Sequence, residues 1–344
     1  MKAGFRVRAS GFHTTVQDLG RPGWQAIGAP VSGALDTVSL RLANALVGNP
    51  SGAPALELLF SGPELEVAAD TVRVALAGAG ASLVTGAASS PGVLTGHSLT
   101  LLRGDVLKVI AGGQSSCCYL AVEGGFAVPP VLGSASTYVR AGIGGLEGRA
   151  LLCGDFLPLT IERATERPEL RLPSSLPPTG DQPIRVVLGP QQEYFTEAAI
   201  AALLGSDFRV SQSADRMGMR LDGPLLQHRG GWDIVSDAIA TGAIQVPGSG
   251  QPIVLLADHQ TTGGYPKIAT VISADLPLVG RRRPGDLIRF AAVTVEAAEA
   301  LYRAEERRLA ELVAAFEPVP SRSAVDLASL YGSNLISGVV SGIE

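Results

Sequence analysis

Short apolar stretches separated by turn residues make up most of this chain. Alternating or continuous apolar runs rich in β-branched residues predict strands, and such runs occupy residues 72–78, 99–110, 117–122, 184–189, 253–257 and 286–293. The 42 glycines and 23 prolines among 344 residues fall largely between these runs, which is typical of tight connections. The pattern therefore predicts a mainly β fold.

Three segments instead have the apolar spacing of helices. Residues 36–48 begin with Asp36 and residues 196–205 begin with Thr196, each of which is a candidate N-cap. Residues 294–316 form the longest segment. We predict helices at all three. The last has one apolar and one charged face, and its pattern leaves open whether it packs on its own chain or on a partner.

The order of residues suggests two related halves. In both 112–126 and 248–265, Gly-Gln precedes an apolar strand, and an acid, Gly-Gly and an aromatic residue follow it. A Pro-rich segment, 163–183, lies between them and is predicted to be a linker. We therefore divide the chain into a first half (1–162), the linker (163–183), a second half (184–293), and a C-terminal helix and tail (294–344).

Composition excludes several classes of protein. The net charge is −5 and no basic cluster occurs, so we expect no nucleic-acid partner. Apolar runs are far shorter than the ~20 residues that span a bilayer. No apolar segment follows the charged residues at the N-terminus, so we predict no signal peptide there. The three cysteines, two of them adjacent, predict reduced core thiols in a cytoplasmic protein. The four histidines lack the spacing of metal ligands, so no metal site is predicted.

The most polar segment is "ADHQTTGGYPK" (257–267), which directly follows an apolar run. In the corresponding loop of the first half, Glu123 is the one polar side chain before the Gly-Gly pair. The turn can therefore form without the additional polar residues of the second loop. Loops on a strand scaffold often carry function. His259 is a candidate general base beside Asp258, although neighbours on a strand point in opposite directions and do not form a dyad by default.

Two other polar clusters accompany this loop. Residues 11–36 form a glycine-punctuated stretch that is either functional or a surface loop with an exposed Asp18–Arg21 ion pair. Residues 211–223 contain Asp215 and Arg216, and an arginine there either binds a carboxylate or phosphate or braces a turn. No P-loop motif is present in the sequence.

The motifs by which the chain resembles a known family lie in and around these clusters. They are "TTVQDLGRPGW" (14–24), "GAPVSGALDTVSLRLANALVGNP" (28–50), "LELLFSGPELEV" (56–67), "SADRMGMRLDG" (213–223) and the long motif of 242–290. Over residues 5–292 the chain resembles the family of allophanate hydrolase subunit 2, KipA and the C subunit of 5-oxoprolinase, which are biotin-dependent carboxyltransferase-like proteins. It departs from them at Arg281, where the family usually has glutamine.

The resemblance implies a cyclophilin-like β-barrel in each half and three alternative functions. The first is the C subunit of an ATP-dependent 5-oxoprolinase, acting with a KipI-like B subunit and with the A subunit of that enzyme. The second is the carboxyltransferase component of a biotin-dependent urea or amide carboxylase. The third is a KipA-like protein that antagonises a kinase inhibitor. We favour the first, because the sequence shows no biotin carrier or biotin carboxylase. Under this function the complex would use ATP. Biotin would be a cofactor only under the second function.

Opening a lactam requires donors around a developing oxyanion and a base for water. Under the resemblance, the catalytic candidates are Asp258, His259, Thr261, Thr262 and Lys267. The candidates for binding a small amide or lactam substrate are Gln17, Asp18, Arg21, Ser32, Asp36, Asp215, Arg216, Gln245, Gln260, Gly263, Gly264 and Tyr265.

Overall fold

The computed structural model describes residues 2–78, 80–86, 93–110, 112–173 and 182–319. Within these ranges the chain is mainly β. Strands up to residue 173 are β1 Gly4–Ala9, β2 His13–Gln17, β3 Ala55–Leu59, β4 Glu64–Val67, β5 Thr71–Ala77, β6 Ser82–Thr85, β7 Val93–Leu94, β8 His97–Leu102, β9 Val106–Ile110, β10 Cys117–Val122, β11 Phe156–Pro158 and β12 Leu170–Arg171.

The later strands are β13 Ile184–Leu188, β14 Phe208–Ala214, β15 Gly218–Asp222, β16 Asp237–Ala238, β17 Ala243–Gln245, β18 Ile253–Leu255, β19 Thr262–Gly263, β20 Lys267–Val271, β21 Leu287–Ile288, β22 Phe290–Ala292 and β23 Glu317–Pro318. The α-helices of the described residues are α1 Thr37–Leu46, α2 Glu197–Gly205, α3 Leu276–Gly280 and α4 Val295–Ala314. Among the described residues, none of these helices is long and apolar enough to cross a membrane.

The strands of the first half form two sheets that share one core, and β12 and β23, from outside this half, extend the second sheet at one edge. Their strand orders are β11-β1-β4-β9-β6-β7 and β2-β3-β10-β5-β8-β12-β23. Phe5 and Leu107 from the first sheet pack with Leu58 and Leu120 from the second. Because alternate residues of a strand point to opposite faces, the other face of the seven-stranded sheet is left for helices to cover.

Helix α1 covers that face, and its start is as predicted. The Asp36 carboxylate accepts hydrogen bonds from the peptide N–H groups of Val38 and Ser39, both at 3.1 Å, as an N-cap does. Leu42 and Leu46 of α1 then pack against the sheet. The side-chain caps Thr196 and Thr294 are likewise present at the starts of α2 and α4.

Helix α4 packs on its own chain, which answers the question that its sequence pattern left open. Leu309 is buried in the cluster formed by α1 and the seven-stranded sheet, and Arg41 of α1 makes two hydrogen bonds to Glu306, at 2.6 and 2.9 Å. The rest of the helix is largely exposed.

The second half is a nearly closed barrel. Its eight strands have the order β21-β14-β15-β18-β17-β20-β13-β22, and Arg289 alone separates the first and last of these strands along the chain. The barrel interior is apolar and includes Phe208, Val254 and Phe290. A separate two-stranded sheet, β16-β19, lies beside it.

Two predicted strands are interrupted in the structure. The run 99–110 forms β8 and β9, which belong to different sheets, because the chain turns at Gly104 with a φ of 87°. The run 286–293 is likewise broken at Arg289. The helix α3, with five residues, is too short to give a periodic signal and was not predicted.

Part of the Pro-rich segment is ordered against the first half, since β12 pairs with β8 and β23. Residues 174–181 of that segment, and the tail from residue 320, lie outside the described residues. The proposed domain boundaries stay a prediction. Of the cysteines, Cys117 and Cys118 are buried thiols as expected, whereas Cys153 is exposed.

Candidate functional site

A cleft of about 480 Å³ lies at the border of the two halves. Four residues predicted to bind substrate, Asp215, Gln245, Gln260 and Tyr265, line it together. The full lining consists of Arg140, Ser213, Ala214, Asp215, Met217, Gly218, Arg220, Gln245, Ile253, Leu255, Gln260 and Tyr265. A concave site with apolar walls and a few convergent polar groups is typical of small-molecule binding.

Two amide side chains on one wall of the cleft are held in a fixed orientation. Gln245 is buried in β17, where its Nε2 donates to the carbonyl oxygen of Tyr265 at 3.3 Å. Its Oε1 accepts from Nε2 of the exposed Gln260, also at 3.3 Å. Gly263 leaves room for this arrangement, because a Cβ there would lie 3.0 Å from Gln245 Nε2 and 2.8 Å from Ile239 Cδ1.

The charged groups of the cleft come from both halves. Arg140, from the first half, approaches Asp215 with 3.7 Å between the guanidinium and the carboxylate. Asp215 also accepts from the peptide N–H of Met217 at 2.8 Å, so it braces its own turn. The sequence contains no signal for Arg140, because its place in the cleft depends on how the halves meet. Arg220, by contrast, lies in the family motif of residues 213–223.

His259 is buried and does not line the cleft. Its Nδ1 lies 2.6 Å from the carbonyl oxygen of Gln260, and its Nε2 lies 3.1 Å from the hydroxyl of Thr241. A carbonyl can only accept, so Nδ1 carries the proton and Nε2 accepts from Thr241. Burial lowers the pKa of His259, and the neutral imidazole is therefore the stable form.

Lys267 is also buried, and its ammonium group is used within the protein. Nζ donates to Asp237 at 2.8 Å and to the carbonyl of Ala238 at 3.1 Å, and the hydrogen bond to Asp237 lowers the pKa of that carboxyl. The predicted donors Thr262 and Gly263 pair in β19 with the same two residues. The carbonyl oxygens of Thr261 and Gly264 accept from Ile239 and Ile234.

Arg216 is the centre of a buried ion network between the halves. Its Nε and Nη2 bond Asp258 at 2.8 and 3.2 Å, Nη1 donates to Glu57 of the first half, and Nη2 donates to the carbonyl of Gly33 at 2.6 Å. Burial opposes the charge, but Glu57 and Asp258 outweigh it and raise the pKa of Arg216. Sequence reasoning missed Glu57, whose signal was an acid within the apolar strand "ALELL".

A second buried pair joins the halves at Asp36. Arg281 donates to its two carboxylate oxygens at 2.6 and 3.0 Å, while Asp36 keeps its capping role. Arg281 is thus part of the contact between the halves. Near it, the Ser116 hydroxyl donates to the carbonyl of Gly280 at 2.6 Å.

The predicted binding side chains of the N-terminal cluster are buried, although residues 22–24 and 26–28 of the same stretch are exposed. Asp18 accepts from the hydroxyls of Ser134 and Ser136, at 2.6 and 2.5 Å, and from two peptide N–H groups. Arg21 is buried, donates to backbone carbonyls, and has its pKa lowered by burial. The alternative of an exposed Asp18–Arg21 ion pair is therefore wrong, since both side chains are buried.

Gln17 and Ser32 are buried in the same region. Gln17 donates to Thr15 and to the carbonyl of Thr137, and the peptide N–H of Ser32 donates to the carbonyl of Ala257 in the second half at 3.0 Å. None of these N-terminal residues lines the cleft, and their predicted roles in substrate binding stay predictions.

The acids that follow the two repeat strands have matching partners. After β10, Glu123 accepts from the buried Arg73 at 2.9 Å; after β18, Asp258 pairs with the buried Arg216. Part of the polarity of the 257–267 loop thus stabilises the fold, in the same way as in the first half.

Comparison with known proteins places this architecture in a family. Residues 27–292 match the model of the carboxyltransferase domain, subdomain A and B. The chain is 38% identical to the 5-oxoprolinase C subunit of Escherichia coli, over 89% of this chain and 97% of that protein, and 32% identical to urea amidolyase of Saccharomyces cerevisiae, over 87% of this chain and 17% of that one.

The crystal structure of Kluyveromyces lactis urea carboxylase superimposes with a TM-score of 0.82 at 31% identity, over 91% of this chain and 29% of that one. The chain therefore belongs to the carboxyltransferase-domain family that includes the C subunit of 5-oxoprolinase.

Proposed function

We propose that this chain is the C subunit of an ATP-dependent 5-oxoprolinase, which opens 5-oxoproline to glutamate together with a KipI-like B subunit and the A subunit of the enzyme. The observation that carries the proposal is the similarity to the Escherichia coli C subunit, which extends over nearly the whole of both chains. The free thiols of Cys117 and Cys118 support a cytoplasmic location, where cysteines are kept reduced.

The cleft is the proposed site for the lactam. 5-Oxoproline presents an amide N–H, a carbonyl oxygen and a carboxylate, and the cleft offers amide and guanidinium groups that complement them. The fixed pair Gln245 and Gln260 suits the lactam amide. Arg140 and Arg220 suit the carboxylate, because a guanidinium donates two parallel hydrogen bonds to it.

In the reaction that we propose, the complex transfers the γ-phosphoryl group of ATP to the lactam oxygen and releases ADP, which makes the lactam carbon electrophilic. Water then attacks that carbon, the ring C–N bond breaks with protonation of the nitrogen, and a second water releases phosphate to leave glutamate. The task of this chain is to hold and orient the lactam. Both candidate bases are bonded inside the protein: Nε2 of His259 accepts from Thr241, and both oxygens of Asp258 accept from Arg216. Either one would have to exchange that partner for the attacking water in order to act as the base.

The test is reconstitution with the A and B subunits and an assay of glutamate formed from 5-oxoproline and ATP, with each protein omitted in turn. Arg220→Ala should raise KM for 5-oxoproline about 10- to 100-fold with kcat nearly unchanged, since a hydrogen bond to a charged group contributes about 1.5–3 kcal/mol. Arg303→Ala, at an exposed arginine of α4, is the matched control. A fully assembled complex that forms no glutamate would reject the proposal.

The alternative function is carboxyl transfer from carboxybiotin to urea or a related amide. The family model and the urea amidolyase relatives favour it specifically. Biotin would be the cofactor only in this case. A complex inactive with 5-oxoproline that carboxylates urea in the presence of carboxybiotin would establish this alternative.

A further inference from the structure

The Arg216–Asp258 pair joins two neighbouring segments that line the cleft. Arg216 lies between Asp215 and Met217 in the turn from β14 to β15, and Asp258 lies two residues before Gln260 in the loop that follows β18. Besides the side-chain pair, the peptide N–H of Asp258 donates to the carbonyl of Arg216 at 2.8 Å. The peptide N–H of Leu256 donates to the carbonyl of Met217 at 3.0 Å. The position of this turn against the loop therefore depends on where Arg216 is held as well as on these backbone hydrogen bonds.

The first half holds Arg216 through Glu57, which has no exposed surface. One oxygen of Glu57 accepts from Arg216. The other accepts from the Tyr119 hydroxyl at 2.5 Å and from the peptide N–H of Leu35 at 2.9 Å. Tyr119 lies opposite Glu57 on the neighbouring strand and is itself fully buried. A buried charge with every oxygen bonded to a fixed donor is a rigid support.

We propose that Glu57 is a positioning residue: supported by Tyr119, it fixes Arg216 and so sets the geometry of the cleft from the opposite half of the molecule. It does not touch the cleft itself. The proposal concerns the shape of the cleft and stands apart from which substrate binds there.

The first half supplies a matched control. Arg73 and Glu123 form a buried pair of the same chemistry, at 2.9 Å, after the equivalent strand of the repeat. Glu123 also accepts from Thr165, and neither partner of the pair lines the cleft. Glu57→Gln and Glu123→Gln each replace a buried carboxylate that pairs with a buried arginine by a neutral amide. Only the arginine paired with Glu57 lies between residues that line the cleft.

The experiment is hydrogen exchange measured by mass spectrometry on the full chain. In Glu57→Gln, peptides that contain the amides of Leu256 and Asp258 should exchange at least about fivefold faster than in wild type, because loss of the support frees local opening. Glu123→Gln should leave them unchanged and accelerate exchange near Thr165 instead. Tyr119→Phe removes one hydroxyl and should give a smaller change at the same amides, which keeps the test decisive if Glu57→Gln does not fold.

The second readout is kinetic, in the reconstituted complex. Glu57→Gln should raise KM several-fold more than Glu123→Gln does, because the turn at Arg216 and the loop at Asp258 both line the cleft and would shift. A complex that does not act on 5-oxoproline would reject the proposed function and leave the exchange result standing. Unchanged exchange at Leu256 and Asp258 in both Glu57→Gln and Tyr119→Phe would overturn the positioning role.

Discussion

The polar residues of 257–267 have two distinct uses. Gln260 and Tyr265 face the cleft, whereas Asp258, His259 and Lys267 are buried and bond partners inside the protein. Buried polar groups need such partners, because leaving one unpaired costs about 1–3 kcal/mol. The dense polarity of this loop therefore reflects internal support as well as a site, and each of its residues requires a separate test.

His259 gives a prediction about stability and pH. Burial lowers its pKa below the ordinary value of 6.5, so just below pH 6.5 the unfolded chain binds a proton that the folded chain does not. Stability contributed by His259 is present above that pH and is lost as pH falls towards the folded pKa, by at most about 1.4 kcal/mol per pH unit. His259→Asn should remove this loss.

The measurement is the free energy of unfolding in urea at about pH 7.5 and about pH 5.5. The decrease between the two pH values should be smaller in His259→Asn than in wild type, by at most about 1.4 kcal/mol. His13 and His97, whose pKa values burial also lowers, act in both proteins and cancel in the comparison. An equal decrease in both proteins would show that His259 is not held neutral.

At the level of elements, helix α4 illustrates how one buried residue can attach a mostly exposed helix. Leu309 is 3% exposed, whereas Val313 on the next turn is 37% exposed. Leu309→Ala should lower the free energy of unfolding by about 2–4 kcal/mol, through lost burial and a cavity. Val313→Ala, the control on the same helix, should cost less than about 1 kcal/mol.

Thermal and urea unfolding of the two variants test this difference. A cost for Leu309→Ala no larger than for Val313→Ala would mean that the contact with α1 contributes little. In that case the Arg41–Glu306 pair would also be expected to matter little, because such half-exposed ion pairs typically contribute under about 1 kcal/mol.

The elements that could be predicted are those with local signals. Asp36, Thr196 and Thr294 mark helix starts because capping depends only on neighbouring residues. The break of the 99–110 run was missed, since a glycine within an alternating pattern does not show that two sheets share the run. Arg140 reaches the cleft, and Glu57 reaches Arg216, only when the two halves are in contact. Neither contact could be predicted, because the partners lie far apart in the sequence.

For the whole molecule, the decisive feature is how closely the halves touch. Two buried ion pairs, Arg216–Glu57 and Arg281–Asp36, cross the boundary. The backbones also approach each other directly, because a Cβ on Gly280 would collide with the carbonyl group of Leu35. Although the sequence suggested two halves joined by a linker, contacts of this kind predict one cooperative unit.

The two tryptophans allow this cooperativity to be measured, since Trp24 lies in the first half and Trp232 in the second. Single-tryptophan variants, Trp232→Phe and Trp24→Phe, should unfold in urea with coincident midpoints, as expected for a single transition. Gly280→Ala should force the halves apart at Leu35 and separate the two midpoints. Gly205→Ala, where a Cβ meets nothing within 4 Å, should leave them coincident. Separate midpoints without any change at Gly280 would mean that the halves fold independently, and the cleft would then depend on docking rather than on folding.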